Sequence, residues 1–113
     1  MCDNLILNKI TDSVVQAAKD SLGDKLDRVI LYGSYARGDY NRESDIDVMI
    51  LADIQAEDRA SERRKIRRLL NRIDLEHDVL LSLSVNDSAT FNNYANDLPF
   101  YMNVLKDGVV LSA

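Results

Sequence analysis

Apolar and polar positions alternate along the chain in blocks of different period. From Leu5 to Leu22, apolar residues recur at Leu7, Ile10, Val14, Ala17/Ala18 and Leu22, a helical spacing. Thr11-Asp12-Ser13 falls inside that block as a possible cap or interruption, and Gly23 suits a left-handed helix end. Arg28 to Tyr32 is apolar in its middle and predicts a strand buried on both faces. A polar loop, Gly33 to Ser44, separates it from a second strand, Asp45 to Leu51. Asp53 to Ile73 has apolar residues along one helical face and dense charge elsewhere. Its acids come early and its bases late, which suits the helix dipole. His77 to Val85 alternates with period two and predicts a third strand, with Asp78, Leu80, Ser82 and Ser84 on one face. A turn at Asn86-Asp87-Ser88 follows, then a short or irregular helix over Ala89 to Asn96. Pro99 opens a helix to about Lys106, and Val109-Val110-Leu111 is a last short strand.

This order predicts an α/β (α+β) domain, a small mixed sheet covered by helices. The first two strands are expected to be antiparallel. The long crossover lets the third run parallel to the second. In that arrangement Asp45 and Asp47 point to one face, their Cβ atoms about 6.5–7 Å apart. Asp78, at the start of the third strand, is expected beside them. Three converging carboxylates repel one another unless a cation lies between them. Oxygen donors alone favour Mg²⁺ or Mn²⁺, and a pair of ions about 3.5–4 Å apart is the geometry of nucleotidyl transfer.

The loop before them supplies complementary chemistry. Gly33 permits close backbone approach, and backbone N–H groups with the Ser34 hydroxyl suit phosphate oxygens. A helical turn at Tyr35-Ala36-Arg37, ended by Gly38, would add positive potential there. Arg37 has two uses open to it, a phosphate or an acid of the loop.

Composition narrows the picture. A chain of 113 residues, 46% hydrophobic and 29% charged, fits one folded domain over 1–113. A net charge of −5 gives no general attraction to nucleic acid, so direct nucleic-acid binding is not expected. One cysteine, Cys2, excludes an internal disulfide, and with a lone histidine it excludes a Cys/His zinc site. No apolar run is long enough to cross a membrane, and the start lacks a basic signal region. A cytoplasmic protein is the expectation.

Gly33-Ser34-x-Ala36-Arg37-Gly38-x5-Ser44-Asp45-x-Asp47 resembles the signature of the polymerase-β-like nucleotidyltransferases. The short length and the ending from Pro99 to Leu111 resemble their minimal branch, the MNT proteins encoded beside HEPN-domain partners. The resemblance implies the nucleotidyltransferase fold, with Asp45 and Asp47 on two Mg²⁺ ions and Asp78 completing the catalytic one. It implies nucleotide contacts from Gly33, Ser34, Arg37 and Ser44. The implied reaction moves AMP from ATP to a hydroxyl, in several such pairs a tyrosine of a HEPN toxin. The chain would then be the antitoxin, alone or in a homo- or hetero-oligomer.

Other readings compete. An antitoxin could act by covering its partner without catalysis. A small hydroxylated molecule could be the acceptor, although such enzymes usually add an acceptor domain. Asp74 and Glu76 rival Asp78, which is preferred because only it begins an apolar strand. The basic cluster from Arg63 to Arg72 is expected to be a solvated helix face. His77 is expected to pack away from the site. Tyr94, Phe100, Tyr101 and Met102 are expected in the core or an interface.

Overall fold

The computed structural model describes residues 4–41 and 44–112. Cys2 lies outside them, as does the Arg42-Glu43 part of the polar loop. Helix α1 (Asn4–Leu22) buries Ile10, Thr11, Val14, Ala17, Ala18 and Leu22. Thr11 and Ser13 do not interrupt it. Their hydroxyls donate back to the Asn8 and Lys9 carbonyls at 3.1 and 2.9 Å, which satisfies both groups within the helix. Gly23, at φ +56°, follows the last turn as expected.

Strand β1 (Leu26–Tyr32), helix α2 (Gly33–Arg37) and strand β2 (Ile46–Ala52) form the centre. Helices α3 (Arg59–Leu69) and α4 (Ile73–His77) precede strand β3 (Leu81–Asp87). Helices α5 (Ser88–Tyr94) and α6 (Pro99–Asp107) and strand β4 (Val109–Ser112) follow. The four-stranded sheet has the order β3-β2-β1-β4. As expected, β1 and β2 are antiparallel and β2 and β3 parallel; β4 is antiparallel to β1.

One face of the sheet (Val29, Leu31, Ile46, Val48, Ile50, Leu83) packs on Ile10 and Val14 of α1 and Ile66 of α3. The other (Ile30, Met49, Leu51) packs on Phe91 and Ala95 and on Tyr101 and Val104 of α6. Asp47, two residues before Met49, shares this second face at its open end.

Two boundaries differ from the sequence reading. The helix expected over Asp53 to Ile73 starts only after a 3₁₀ turn at Ala56–Asp58. The Asp53 amide donates to the Lys25 carbonyl at 2.8 Å, which keeps the chain tied to β1 beyond the strand end. The helix also ends early, at Leu69, where Leu70 donates back to Arg67.

The third strand, expected from His77, begins at Leu81. Residues before it close on themselves: the Glu76 amide donates to Arg72 and that of Val79 to Asp74, at 2.9 and 3.2 Å. Asp78 ends α4 in the left-handed region, at φ +52°, and does not begin a strand.

The basic cluster also differs from a wholly solvated face. β3 is an edge strand, and Arg63 Nε donates to the Leu83 carbonyl at 3.0 Å and Arg67 Nη1 to that of Leu81 at 3.3 Å. Arg67 also pairs with Asp74 at 2.8 Å. These arginines satisfy edge carbonyls that another strand would otherwise seek. Tyr101 is core, as expected, whereas Tyr94, Phe100 and Met102 are exposed.

Candidate active site

β1 ends at Tyr32 and passes directly into the short helix α2, and β2, which carries Asp47, begins at Ile46. Tyr32 lies opposite Asp47 in the β1–β2 register, and the chain turns into α2 at the next residue. Gly33 takes φ +73°, which a side chain would strain. A Cβ there would also collide with Asp47 Oδ2 and stand 3.3 Å from its Cγ. Asp47 thus fills the space a side chain at 33 would need. Gly38, at φ +84°, ends α2, and its amide and that of Asp39 donate to the Ser34 carbonyl at 2.9 and 3.2 Å. Tyr35 is buried and stacks on Tyr40, centroids 4.2 Å apart, which pins the loop to α2.

The electrostatics centre on Asp47. Burial pushes its carboxyl above the ordinary range, the Asp45 charge pushes it further, and Arg37 partly offsets both. The Tyr32 hydroxyl is pushed up to about 12, first by burial and then by Asp47. The Tyr32 ring meets Phe100 of α6 edge-on at 5.7 Å. Arg37 takes the loop-acid alternative: its Nε bonds Asp39 at 3.1 Å, and its Nη1 lies 3.8 Å from Asp107 of α6.

The other expected site residues divide. Ser34 is half-exposed beside Gly33. Ser44 serves the loop: its hydroxyl accepts from the Asn41 amide at 2.9 Å, and its own amide donates to the Asn41 carbonyl at 3.1 Å. Asp45 and Asp47 come together. Asp78 does not join them; it is exposed and precedes β3 by three residues. Among the described residues no group of three or more acids, histidines or cysteines is placed to hold a metal. The β3 residue level with Asp47 is Ser82. The alternation of Ser82 and Ser84 with Leu81, Leu83 and Val85 was the available signal for it. Tyr32, Phe100 and Asp107 also border the site, and nothing local in the sequence marks them.

A strand-turn-strand unit that seats one carboxylate of an Asp-x-Asp pair against a glycine suits phosphate chemistry. The family model for the nucleotidyltransferase domain matches residues 11–111. The chain belongs to the nucleotidyltransferase family.

Two curated proteins of Methanocaldococcus jannaschii, each called "Putative protein adenylyltransferase", are similar to this nucleotidyltransferase. MJ0141 is 41% identical over 71% of this chain and 79% of its own length. MJ0604 is 34% identical over 91% of this chain and 95% of its own. The crystal structure of a toxin-antitoxin with AMP-PNP aligns with 91% of this chain and 73% of its own at a TM-score of 0.56. Its identity is 22%, so the likeness is one of fold. The chain is thus a nucleotidyltransferase, an enzyme built on a mixed sheet with helices on both faces. Among the described residues no helix is long and apolar enough to cross a membrane.

Proposed function

We propose that this nucleotidyltransferase transfers AMP from ATP to a hydroxyl of a partner protein, a tyrosine of a HEPN toxin, and serves as its antitoxin. The observation that carries the reading is the seating of Asp47 against Gly33 with Asp45 beside it. The names of the two adenylyltransferase relatives support AMP as the group moved. A protein acceptor is supported by the surface next to the site. Phe100, Met102 and Leu105 of α6 and Val109 and Val110 of β4 are all about half exposed. α6 is tied to the site through Phe100–Tyr32 and Asp107–Arg37.

The two acids fit a hard divalent cation. Both offer oxygen alone, and burial and mutual repulsion raise Asp47, a cost that a cation between them reverses. Asp45 and Asp47 would hold Mg²⁺ or Mn²⁺, which when bound neutralises phosphate charge as a Lewis acid. In the transfer, the acceptor hydroxyl gives up its proton to solvent as its oxygen bonds to the α-phosphorus, the bond from that phosphorus to the bridging oxygen breaks, and pyrophosphate leaves. Gly33 keeps the Asp47 carboxylate in place, and Ser34 offers a hydroxyl to the phosphates. Arg37 holds α2 to α6 rather than serving the phosphates directly. Asp78 has no role in this reading.

The test is incubation with α-labelled ATP, Mg²⁺ and the product of the adjacent gene. Label should move to that partner, and an Asp45→Ala/Asp47→Ala variant should not move it. No transfer with any nucleotide or metal would overturn the reading. The exposed apolar surface of α6 and β4 also suits an antitoxin that acts by covering its partner. Full neutralisation by the double variant would establish that alternative.

A further inference from the structure

We propose that Ser82 is a substrate-contacting residue whose hydroxyl donates to a phosphate oxygen of the nucleotide. This rests on the nucleotide-transfer reading above and adds a residue to its site.

Parallel pairing puts Ser82 directly beside Asp47. Registered partners share a face, and neighbouring strands lie about 4.8 Å apart. The alternation of β3 agrees: Leu81, Leu83 and Val85 enter the core on the opposite face, which leaves Ser82 and Ser84 on the face of Asp47. Asp47 is therefore flanked on one side by Tyr32 and Gly33 and on the other by Ser82.

The polar residues of this face differ in one respect. Ser84 Oγ accepts from Asn86 Nδ2 at 2.8 Å, and Asn86 Oδ1 accepts from the Tyr101 hydroxyl at 3.4 Å. Ser82 is half-buried, and its hydroxyl has no hydrogen-bond partner among the described residues. The network thus stops one position short of the acids and leaves a donor at their level.

The chemistry suits an anion. A third carboxylate at this position would add to the repulsion that already raises Asp47. A neutral hydroxyl beside the acids can donate to a phosphate oxygen without adding charge. Ser34 follows Gly33 on the β1 side of Asp47, and Ser82 stands on the β3 side.

The experiment measures binding of ATP and of adenosine to the full chain in Mg²⁺ by calorimetry, for the parent, Ser82→Ala, Ser82→Thr and Ser84→Ala. Ser82→Ala should weaken ATP about tenfold, the scale of a hydrogen bond to a charged group, and leave adenosine unchanged. Ser82→Thr, which keeps the hydroxyl and suits a strand, should restore ATP binding. Ser84→Ala should lower thermal stability and leave both affinities alone. In turnover, KM for ATP should rise with kcat nearly constant, as for a contact made equally in ground and transition states. Equal ATP affinity of parent and Ser82→Ala overturns this inference alone. Equal weakening of ATP and adenosine also overturns it, by removing the phosphate as the contact. Failure of the parent to bind ATP overturns both it and the transfer reading.

Discussion

The carboxylate of Asp47 occupies the volume that a side chain on Gly33 would need. Gly33 opens α2 directly after β1, and Asp47 lies in β2. Gly33→Ala brings both a collision and a strained left-handed backbone, so it should cost about 1–3 kcal/mol of stability. It should also displace Asp47 and abolish transfer. Urea denaturation gives the first quantity and labelled-nucleotide transfer the second. Near-parental activity would show that Asp47 works from another position.

Asp47→Asn should separate stability from function. In the folded state burial and Asp45 hold the Asp47 carboxyl above its ordinary range. Folding therefore favours its protonated form, and that contribution is lost as pH rises through the raised value. The neutral amide should stabilise the fold at pH 7 by about 0.5–1 kcal/mol, a figure kept small for solvent screening. The advantage over the parent should vanish in acid, where both side chains are uncharged. Transfer should be lost at every pH. Melting curves against pH check this, and a less stable variant at pH 7 would contradict it.

Asp78→Asn should retain most of its transfer activity, within about threefold of the parent, whereas Asp45→Asn and Asp47→Asn should each lose at least about 100-fold. Single-turnover rates at saturating nucleotide make the comparison. A loss at Asp78 equal to the other two would require α4 to unwind and extend β3 during the reaction.

Asp87 behaves in the opposite sense to Asp47. Burial pushes its carboxyl up, but hydrogen bonds from Thr90 outweigh this with help from Arg59, and the group sits below its ordinary range. It caps α5, with Oδ2 accepting from the Thr90 amide at 3.0 Å. Its contribution is present above the unfolded value and lost as pH falls through the lowered one. Asp87→Ala should cost about 1–2 kcal/mol at neutral pH and flatten the acid limb of the stability profile.

Arg67→Ala should cost about 2–3 kcal/mol, because it strips Asp74 of its cation and the Leu81 carbonyl of a donor. Asp74 Oδ1 already lacks a partner, so the remaining charge has little to compensate it. An Arg67→Ala/Asp74→Leu double variant should recover part of the loss in chemical denaturation. A single-variant cost under about 0.5 kcal/mol would place this pair among ordinary surface contacts.

Much of the central unit was legible because its signals are local. The apolar run into Tyr32, the glycines at 33 and 38 and the Asp-x-Asp entry to β2 each act over a few residues, and all are realised. Asp78 was misplaced for a reason that periodicity does not carry. Alternation runs unbroken from His77 to Val85, with no glycine or proline to mark a break. The strand stops at Leu81 because residues 72–79 close a turn stapled by Asp74 to Arg67, a contact made on another helix. The arginines of α3 were misjudged similarly. Their spacing shows a shared face, but only the sheet order reveals that this face meets the outer carbonyls of β3.

The two margins of the sheet are therefore unequal. Guanidinium groups occupy hydrogen-bonding positions along β3, while β4 has no strand beyond it among the described residues and carries exposed Val109 and Val110. Lateral growth of this sheet has a built-in direction: any added strand, native or pathological, must join at the carboxyl-terminal border.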